Sequence, residues 1–289
     1  MFQVDAERAT ITTQDEIFRL SRGEVNQRWR NGIEERLRAN DTGILTVNHL
    51  TPSLVMKGFS PAEIANIEFV RRNTSISVPR IHTTPSGYTV MDFIDGEMLC
   101  SCWHKLSTLM QFRIACTMRL YVKQLRSLKN KTVGALENGH VGGIAFELDD
   151  YGTFKSSEHF ARFCEWVALD IWAERAVVPS KSRVARPQID WSPVFTHGDL
   201  NSSNILLDKR GSLWIIDWEM AGFYPSSMEA HCMRTVDEDR KFVPSFHRRY
   251  RRFIFNQTHE EERFWICFTA NISRFFFLAF NYRVQPVED

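Results

Sequence analysis

Two short apolar runs with polar residues at their outer ends constrain the fold of this chain more than any other part of its sequence. The runs span residues 205–207 and 213–216, and the connection between them contains Gly211. Asn204 directly precedes the first run, and Asp217 directly follows the second. Runs of this length around a glycine-containing turn predict a β-hairpin. Because a hairpin brings its two ends together, we expect Asn204 and Asp217 to lie within a few ångströms of each other.

The polar residues around this hairpin are suited to phosphoryl transfer. Oxygen ligands such as those of Asn204 and Asp217 suit a hard cation such as Mg²⁺. Asp199 lies five positions before Asn204, where it could orient an attacking hydroxyl or accept its proton. Each of these residues alone is also a common turn former or helix cap. Their combined spacing, with His197 before Asp199 and Gly222 after Asp217, favours a site with Asp199 as catalytic residue and Asn204 and Asp217 as metal ligands.

The same two segments resemble those of a known group of enzymes. Residues 197–204 and 217–222 are similar to the catalytic and metal-binding loops of the aminoglycoside phosphotransferase and choline kinase-like families, and most similar to a fungal branch. The resemblance runs from about residue 44 to residue 235. It implies an α+β, bilobal protein-kinase-like fold. The small β-rich N-terminal lobe would be residues 1–93, and the larger, mainly helical C-terminal lobe would be residues 94–289.

The patterning along the chain agrees with that order of lobes. Ser60 and Pro61 predict the start of a helix, since serine is a good N-cap and proline is tolerated at the first helical position. Strands are predicted at residues 44–50, 53–57, 80–82 and 88–93. Helices are predicted at residues 14–40, 60–72, 104–129, 158–174, 226–235, 238–250 and 259–282.

Lys57 ends an apolar strand, and the resemblance implies that it contacts the α- and β-phosphates of a nucleotide. By the same resemblance, a glutamate of the following helix holds it in place. Glu63 and Glu68 both lie in that helix. Counting along the motif favours Glu63, which shares a helical face with apolar residues. The alternative is that Glu63 closes a capping box with Ser60 instead.

The remaining expectations for the nucleotide site also come from the resemblance. The backbone carbonyl of Asp92 and the N–H of Ile94 would hold the base of ATP (or GTP). His197 would be a packing residue that hydrogen-bonds the metal-binding loop. Protein kinases carry a glycine-rich turn over the phosphates. Here the stretch before Lys57 offers Gly43 but no Gly-x-Gly.

Composition excludes several other classes of protein. The 289 residues carry 36 Lys and Arg against 35 Asp and Glu, so we expect no nucleic-acid partner. No apolar run approaches the ~20 residues of a membrane span, and we expect no membrane association. The six cysteines form no Cys-x-x-Cys pair and the N-terminus does not resemble a secretory leader. These features predict a cytoplasmic protein with reduced thiols and leave its oligomeric state open.

The acceptor substrate is the least constrained part of the prediction. The acidic runs 237–239 and 260–262 have the pattern of solvated helix faces, so no carboxylate-rich pocket is evident. The C-terminal helix is rich in aromatic residues, most of which should be core: Phe264, Trp265, Phe268, Phe275, Phe276, Phe277, Phe280 and Tyr282. We therefore predict an ATP- and Mg²⁺-dependent phosphotransferase acting on a hydroxyl or amine of a small molecule, with an apolar natural product and a sugar as the two candidate acceptors. The alternative is a kinase fold repurposed for another reaction or for ligand binding, for example in a biosynthetic pathway.

Overall fold

The computed structural model describes residues 14–27, 47–85, 87–170, 188–239, 244–275 and 279. The strands are β1 (Asn48–Thr51), β2 (Leu54–Gly58), β3 (Ile81–Thr83), β4 (Tyr88–Asp92), β5 (Gly96–Met98), β6 (Gly134–Ala135), β7 (Pro193–Thr196), β8 (Ile205–Asp208), β9 (Leu213–Ile215) and β10 (Gly222–Pro225). The helices are α1 (Gln14–Ser21), α2 (Pro61–Asn73), α3 (Leu99–Cys102), α4 (Thr108–Ser127), α5 (Ser157–Glu165), α6 (Met228–Asp239), α7 (Pro244–Phe255) and α8 (His259–Arg274).

The N-terminal part is an antiparallel sheet with helix α1 packed against β1 and helix α2 following β2. Its strand order is β1-β2-β4-β3. A small apolar cluster lies on the sheet and contains Leu50, Leu54, Met56 and Val90. Helix α2 begins as predicted, because the Ser60 hydroxyl accepts a hydrogen bond from a backbone N–H of its first turn and Pro61 occupies the first position. The predicted helix residues 28–40, strand residues 44–46 and Gly43 lie outside the described residues.

The predicted hairpin is formed by β8 and β9. Ile205 pairs with Ile215 and Leu207 with Leu213 in an antiparallel ladder. The Asp208 carboxylate accepts backbone N–H groups across the turn, which fixes the connection. Strand β5 pairs with the other edge of β8 and completes a three-stranded sheet. A further sheet, β6-β10-β7, was not predicted, because its strands have two to four residues and show no alternation of apolar and polar positions.

Two further apolar cores are formed mainly by the C-terminal part, and the larger one also includes residues of helix α2. The larger one joins α4 to the hairpin and contains Phe195, Trp218 and Phe223. The second is mostly aromatic and joins α5 to α8, where Phe264 and Phe268 are fully buried. The described aromatic residues of α8 are therefore core, as expected for most of that group. Phe276, Phe277, Phe280 and Tyr282 lie outside the described residues.

Two expectations from composition can be compared with the structure. All six cysteines are unpaired thiols. None of the helices in the described part of the chain combines the length and the apolar character needed to cross a membrane. The division into lobes between residues 93 and 94 stays a prediction.

Candidate active site

The loop between β7 and β8, residues 197–204, brings most of the predicted catalytic residues together; we call it the catalytic loop. It turns sharply at Gly198, whose φ of +77° lies in the left-handed region. A Cβ at this position would lie 2.3 Å from the backbone oxygen of Met220, so the turn requires glycine. The loop therefore packs directly against the backbone of the segment that follows β9.

Asp199 is held by two amide side chains of its own loop. Asn201 Nδ2 donates to Asp199 Oδ1 at 2.7 Å, and Asn204 Nδ2 donates to Asp199 Oδ2 at 2.8 Å. Asn204 Nδ2 also donates to the Asp199 backbone oxygen at 2.9 Å. Because its amide nitrogen is used in this way, Asn204 can offer its Oδ1 to a metal ion. The carboxylate of Asp199 is thus fixed in one orientation relative to the candidate metal ligand.

The hairpin brings Asp217 to the same place. The Ile216 N–H donates to the Asn204 backbone oxygen at 3.0 Å, so Asp217 follows directly after a contact with Asn204. Asp217 has a φ of +65°, a conformation that costs free energy for a residue with a side chain. Backbone strain of this kind is concentrated at functional sites. The side chain of Asp217 is 41% exposed, which leaves it accessible to a ligand.

These donors fit Mg²⁺. One amide oxygen and one carboxylate are hard oxygen ligands, and Mg²⁺ is commonly bound by one or two carboxylates together with water and substrate phosphates. Within the residues that the structure describes, no group of three or more His, Cys, Asp or Glu side chains could hold a metal ion. Asn204 and Asp217 therefore suit a metal ion that is bound together with substrate phosphates better than one held by protein ligands alone.

Lys57 joins the N-terminal sheet to this site. Its Nζ lies 2.5 Å from Asp217 Oδ1, although 160 positions separate the two residues in the sequence, and 3.1 Å from Glu63 Oε2. Burial opposes the charged form of Lys57, but the two carboxylates outweigh it and raise its pKa. Burial raises the pKa of Glu63, and Lys57 offsets part of that increase. A charged lysine therefore links the sheet, helix α2 and the segment that carries Asp217.

The choice between Glu63 and Glu68 is decided by these contacts. Glu68 pairs with Arg71 of its own helix at 3.2 Å, and Glu63 pairs with Lys57. The Glu63 backbone N–H also donates to the Ser60 hydroxyl at 3.3 Å. The Glu63 backbone therefore serves the N-cap while its side chain pairs with Lys57, which is the arrangement favoured over a capping box that would use this side chain for the Ser60 N–H.

The predicted base-binding segment follows β4. The Asp92 carboxylate accepts from the His82 ring at 2.6 Å and from the Arg80 N–H at 3.1 Å, so this side chain supports the segment from β3. The Ile94 carbonyl accepts from the Gly96 N–H. Among the described residues, none accepts the Ile94 N–H, which is the donor predicted to contact the base. His82 was not recognised in the sequence, because a lone histidine in a strand carries no signal.

His197 has the contacts of a packing residue. Its Nε2 lies 3.0 Å from the Ile216 carbonyl oxygen, and its Nδ1 accepts from the Asp199 N–H at 3.2 Å. The ring packs against Trp218. Burial lowers the pKa of His197 to about 4, so the ring is neutral near pH 7 and Nε2 carries the proton. His197 thus ties the catalytic loop to the segment that carries Asp217.

Two carboxylates of helix α6 hold the catalytic loop, and neither was identified in the sequence. Glu229 accepts from the backbone N–H groups of His197 and Gly198. Asp237 accepts from the Ser202 hydroxyl at 2.8 Å. Burial raises the pKa of Glu229 to about 7 and that of Asp237 to about 6. The placement of Asp237 on a solvated charged face was wrong: its side chain is buried against the loop.

The chain matches a known protein family. A family model described as the phosphotransferase enzyme family matches residues 57–265. No curated protein sequence matches the chain significantly. The α+β, protein-kinase-like fold class predicted from the sequence is confirmed, with a β-rich part that precedes a mainly helical part.

Several solved structures are similar over most of their length. A choline kinase from Streptococcus pneumoniae is 13% identical, covers 91% of this chain and 94% of its own, and has a TM-score of 0.42. An ADP-bound aminoglycoside phosphotransferase, APH(2'')-Ib, is 14% identical, with coverages of 89% and 92% and a TM-score of 0.48. An aminoglycoside phosphotransferase from Alicyclobacillus acidocaldarius is 14% identical, with coverages of 84% and 80% and a TM-score of 0.43.

Proposed function

The chain belongs to the phosphotransferase enzyme family, and on that premise we propose that it transfers a phosphoryl group from ATP (or GTP), with Mg²⁺, to a hydroxyl or amine of a small molecule. The observation that carries the proposal is the position of Lys57. It bridges Glu63 and Asp217 beside the loop that holds Asp199. Phosphoryl transfer needs this combination of a phosphate-binding cation, metal ligands and a carboxylate for the acceptor.

On the nucleotide side, each residue has a separate role in this proposal. Lys57 binds the α- and β-phosphates, and Glu63 keeps it in position. Asn204 and Asp217 hold Mg²⁺, which would neutralise charge on the phosphates when bound. The backbone of Asp92 and Ile94 binds the base. The existing contact between Lys57 and Asp217 keeps both side chains at the point where phosphates and metal would meet.

On the acceptor side, Asp199 contacts the hydroxyl or amine that attacks the phosphoryl group. Its carboxylate accepts from the acceptor hydroxyl or amine and orients it, or takes its proton during transfer. The amides of Asn201 and Asn204 fix the carboxylate, so the acceptor meets a preformed geometry. In this proposal Asn204 contacts both Asp199 and the metal ion. Its side chain therefore connects the carboxylate that orients the acceptor with the metal that binds the phosphates.

The acceptor in this proposal is largely apolar and carries one reacting group. With 35 acidic residues against 36 Lys and Arg, the chain has no surplus of carboxylates for several ammonium groups. Two of the described carboxylates beside the catalytic loop, Glu229 and Asp237, are buried and already bind the loop. Polycationic aminoglycosides are therefore expected to be poor acceptors.

Nucleotide binding is tested first, by thermal denaturation with and without Mg²⁺ and ATP. A ligand at a hundredfold excess over its Kd stabilises a protein by about 2.7 kcal/mol. We expect a Mg²⁺-dependent increase in Tm for the parent and none for Asp217→Ala, which lacks the metal-binding carboxylate. No increase at millimolar nucleotide would favour the repurposed kinase fold. Formation of ADP with apolar alcohols and amines, compared with aminoglycosides, then tests the acceptor class.

A further inference from the structure

The contact between Asp237 and Ser202 gives the catalytic loop a second attachment to α6. Asp237 Oδ1 accepts from Ser202 Oγ at 2.8 Å and from the Ser202 backbone N–H at 3.3 Å. Ser202 itself is fully buried. It lies between Asp199 and Asn204 in the sequence, three and two positions away. A displacement of Ser202 would therefore move both the catalytic carboxylate and the candidate metal ligand.

Glu229 and Asp237 hold opposite ends of the loop. Glu229 binds the backbone N–H groups of His197 and Gly198 at its start. Asp237 binds Ser202 close to its end. Both carboxylates belong to one helix, so the spacing between the two attachments is set by a rigid element. The part of the loop that contains Asp199 lies between these two attachments.

Stability alone does not account for Asp237. The residue is 1% exposed, and among the described residues no group forms a hydrogen bond with its Oδ2. A buried carboxylate with one oxygen unsatisfied costs free energy. Burial raises its pKa to about 6; Ser202 and Arg251 favour the ionised form, and Asp199 opposes it. Residues that reduce stability in this way are characteristic of functional sites.

We propose that Asp237 is a positioning residue for phosphoryl transfer, which holds Asp199 and Asn204 in their productive orientation through its hydrogen bonds to Ser202. The inference rests on the proposed function and adds a residue to it. Asp237 contacts neither substrate nor nucleotide in this account and acts only through the loop. Small displacements of a catalytic group are enough to lower turnover, since a shift of about 1 Å can cost about 10²-fold.

The first test compares Asp237→Ala with Asn271→Ala. Asn271 is a matched control, because it is also buried and its side chain also binds another part of the chain: its amide donates to the backbone oxygens of Val167 and Ala168, away from the catalytic loop. We expect Asp237→Ala to lower kcat by roughly 10- to 100-fold, with little change in the KM for nucleotide or in Tm. Asn271→Ala should lower Tm more and leave kcat near the parental value. If kcat follows Tm in both variants, Asp237 is merely structural and the proposal is wrong.

The second test asks whether the effect passes through Ser202. Asp237→Asn keeps an oxygen that can accept from Ser202, so it should restore most of the kcat lost in Asp237→Ala. Ser202→Ala should lower kcat by itself and add little when combined with Asp237→Ala, because both changes break the same contact. Fully multiplicative losses in the double variant would overturn the proposal.

A third measurement is independent of activity. Amide hydrogen exchange at Ser202 should accelerate in Asp237→Ala and stay unchanged in Asn271→Ala, because the Ser202 N–H donates to the Asp237 carboxylate. Unchanged exchange in Asp237→Ala would contradict the proposed attachment. If the parent transfers phosphate to no acceptor, the proposed function fails, and exchange at Ser202 still decides whether Asp237 fixes the loop.

Discussion

Two buried glutamates beside the candidate active site have different hydrogen-bond partners. Glu63, from the helix beside the N-terminal sheet, pairs with the long side chain of Lys57. Glu229, from helix α6, accepts from backbone N–H groups of the catalytic loop. A lysine can rotate and share its donors among several partners, as Lys57 does with Asp217. Backbone N–H groups are fixed by the chain.

This difference matches the roles proposed for the two sides. The nucleotide side needs a cation that can move from a carboxylate to a phosphate when substrate binds. The catalytic loop needs a carboxylate in a constant position. We therefore expect changes on the nucleotide side to alter affinity, and changes on the loop side to alter turnover or the pH dependence of stability.

The largest effect is expected for Asp199→Asn. Loss of the carboxylate that orients the acceptor should lower kcat by about 10²–10⁴-fold. The Kd for Mg·ATP should stay near the parental value, because Lys57 and Asp217 are unchanged. Steady-state kinetics and calorimetric titration measure the two quantities. Turnover close to that of the parent would show that another group serves the acceptor and would remove the distinction between the two sides.

The next effect is a pH dependence of stability caused by Glu229. Burial raises its pKa from 4.5 in the unfolded chain to about 7 in the folded one, so the folded state holds the proton more tightly. Its contribution to the free energy of unfolding is therefore largest below pH 4.5 and falls as the pH rises towards 7 and above. The change is roughly 3 kcal/mol across this window. Glu229→Gln cannot titrate and should lack it.

Chemical denaturation of the parent and Glu229→Gln between pH 4 and pH 8 measures this difference. The two stability curves should converge or cross as the pH rises, because only the parent loses the contribution of Glu229. Glu68→Gln, a change on the exposed face of α2, should give a curve parallel to that of the parent. If the stability curves of the parent and Glu229→Gln are parallel, the backbone N–H groups of the loop keep the Glu229 carboxylate ionised throughout the range from pH 4 to pH 8.

A smaller effect is expected for Glu63→Gln. Hydrogen bonds to charged groups contribute about 1.5–3 kcal/mol each, so the variant should lose stability in this range. Lys57 keeps its contact with Asp217 and is drawn towards it, so we expect weaker binding of Mg·ATP with little change in kcat at saturation. A lower kcat with unchanged nucleotide affinity would assign Glu63 to the loop side and contradict the comparison.

The smallest effect is expected for Glu68→Gln. Its pairs with Arg71 and Arg72 lie on the helix surface, three and four positions apart. Such pairs contribute about 0.2–0.5 kcal/mol. Thermal denaturation and nucleotide titration should both give values close to those of the parent. A change comparable to that of Glu63→Gln would show that Glu68 supports Lys57 after all.

Parts of the site were predictable because their signals are local. The hairpin follows from two apolar runs and a turn within a short segment, and the start of α2 follows from Ser60 and Pro61. Glu63 was favoured over Glu68 by counting along the motif of the resembling family, and the contact with Lys57 then decided between them. The strands β7 and β10 were missed because their pairing with each other and with β6 is set by the folded chain, and each is too short to show a period.

The sequence by itself determined the catalytic hairpin, the order of a β-rich part before a helical part, and the residue types of a phosphotransferase site. The tertiary structure decided which carboxylates bind Lys57 and the catalytic loop. Asp237 and Glu68 both lie in charged stretches of helices, yet one is buried against the catalytic loop and the other pairs at the surface. Helical spacing shows which residues share a face, but only long-range packing shows what covers that face. Whatever packs on that face sets how deeply a carboxylate is buried and which N–H donors it meets. Burial and these donors in turn determine its pKa and its hydrogen-bond partners.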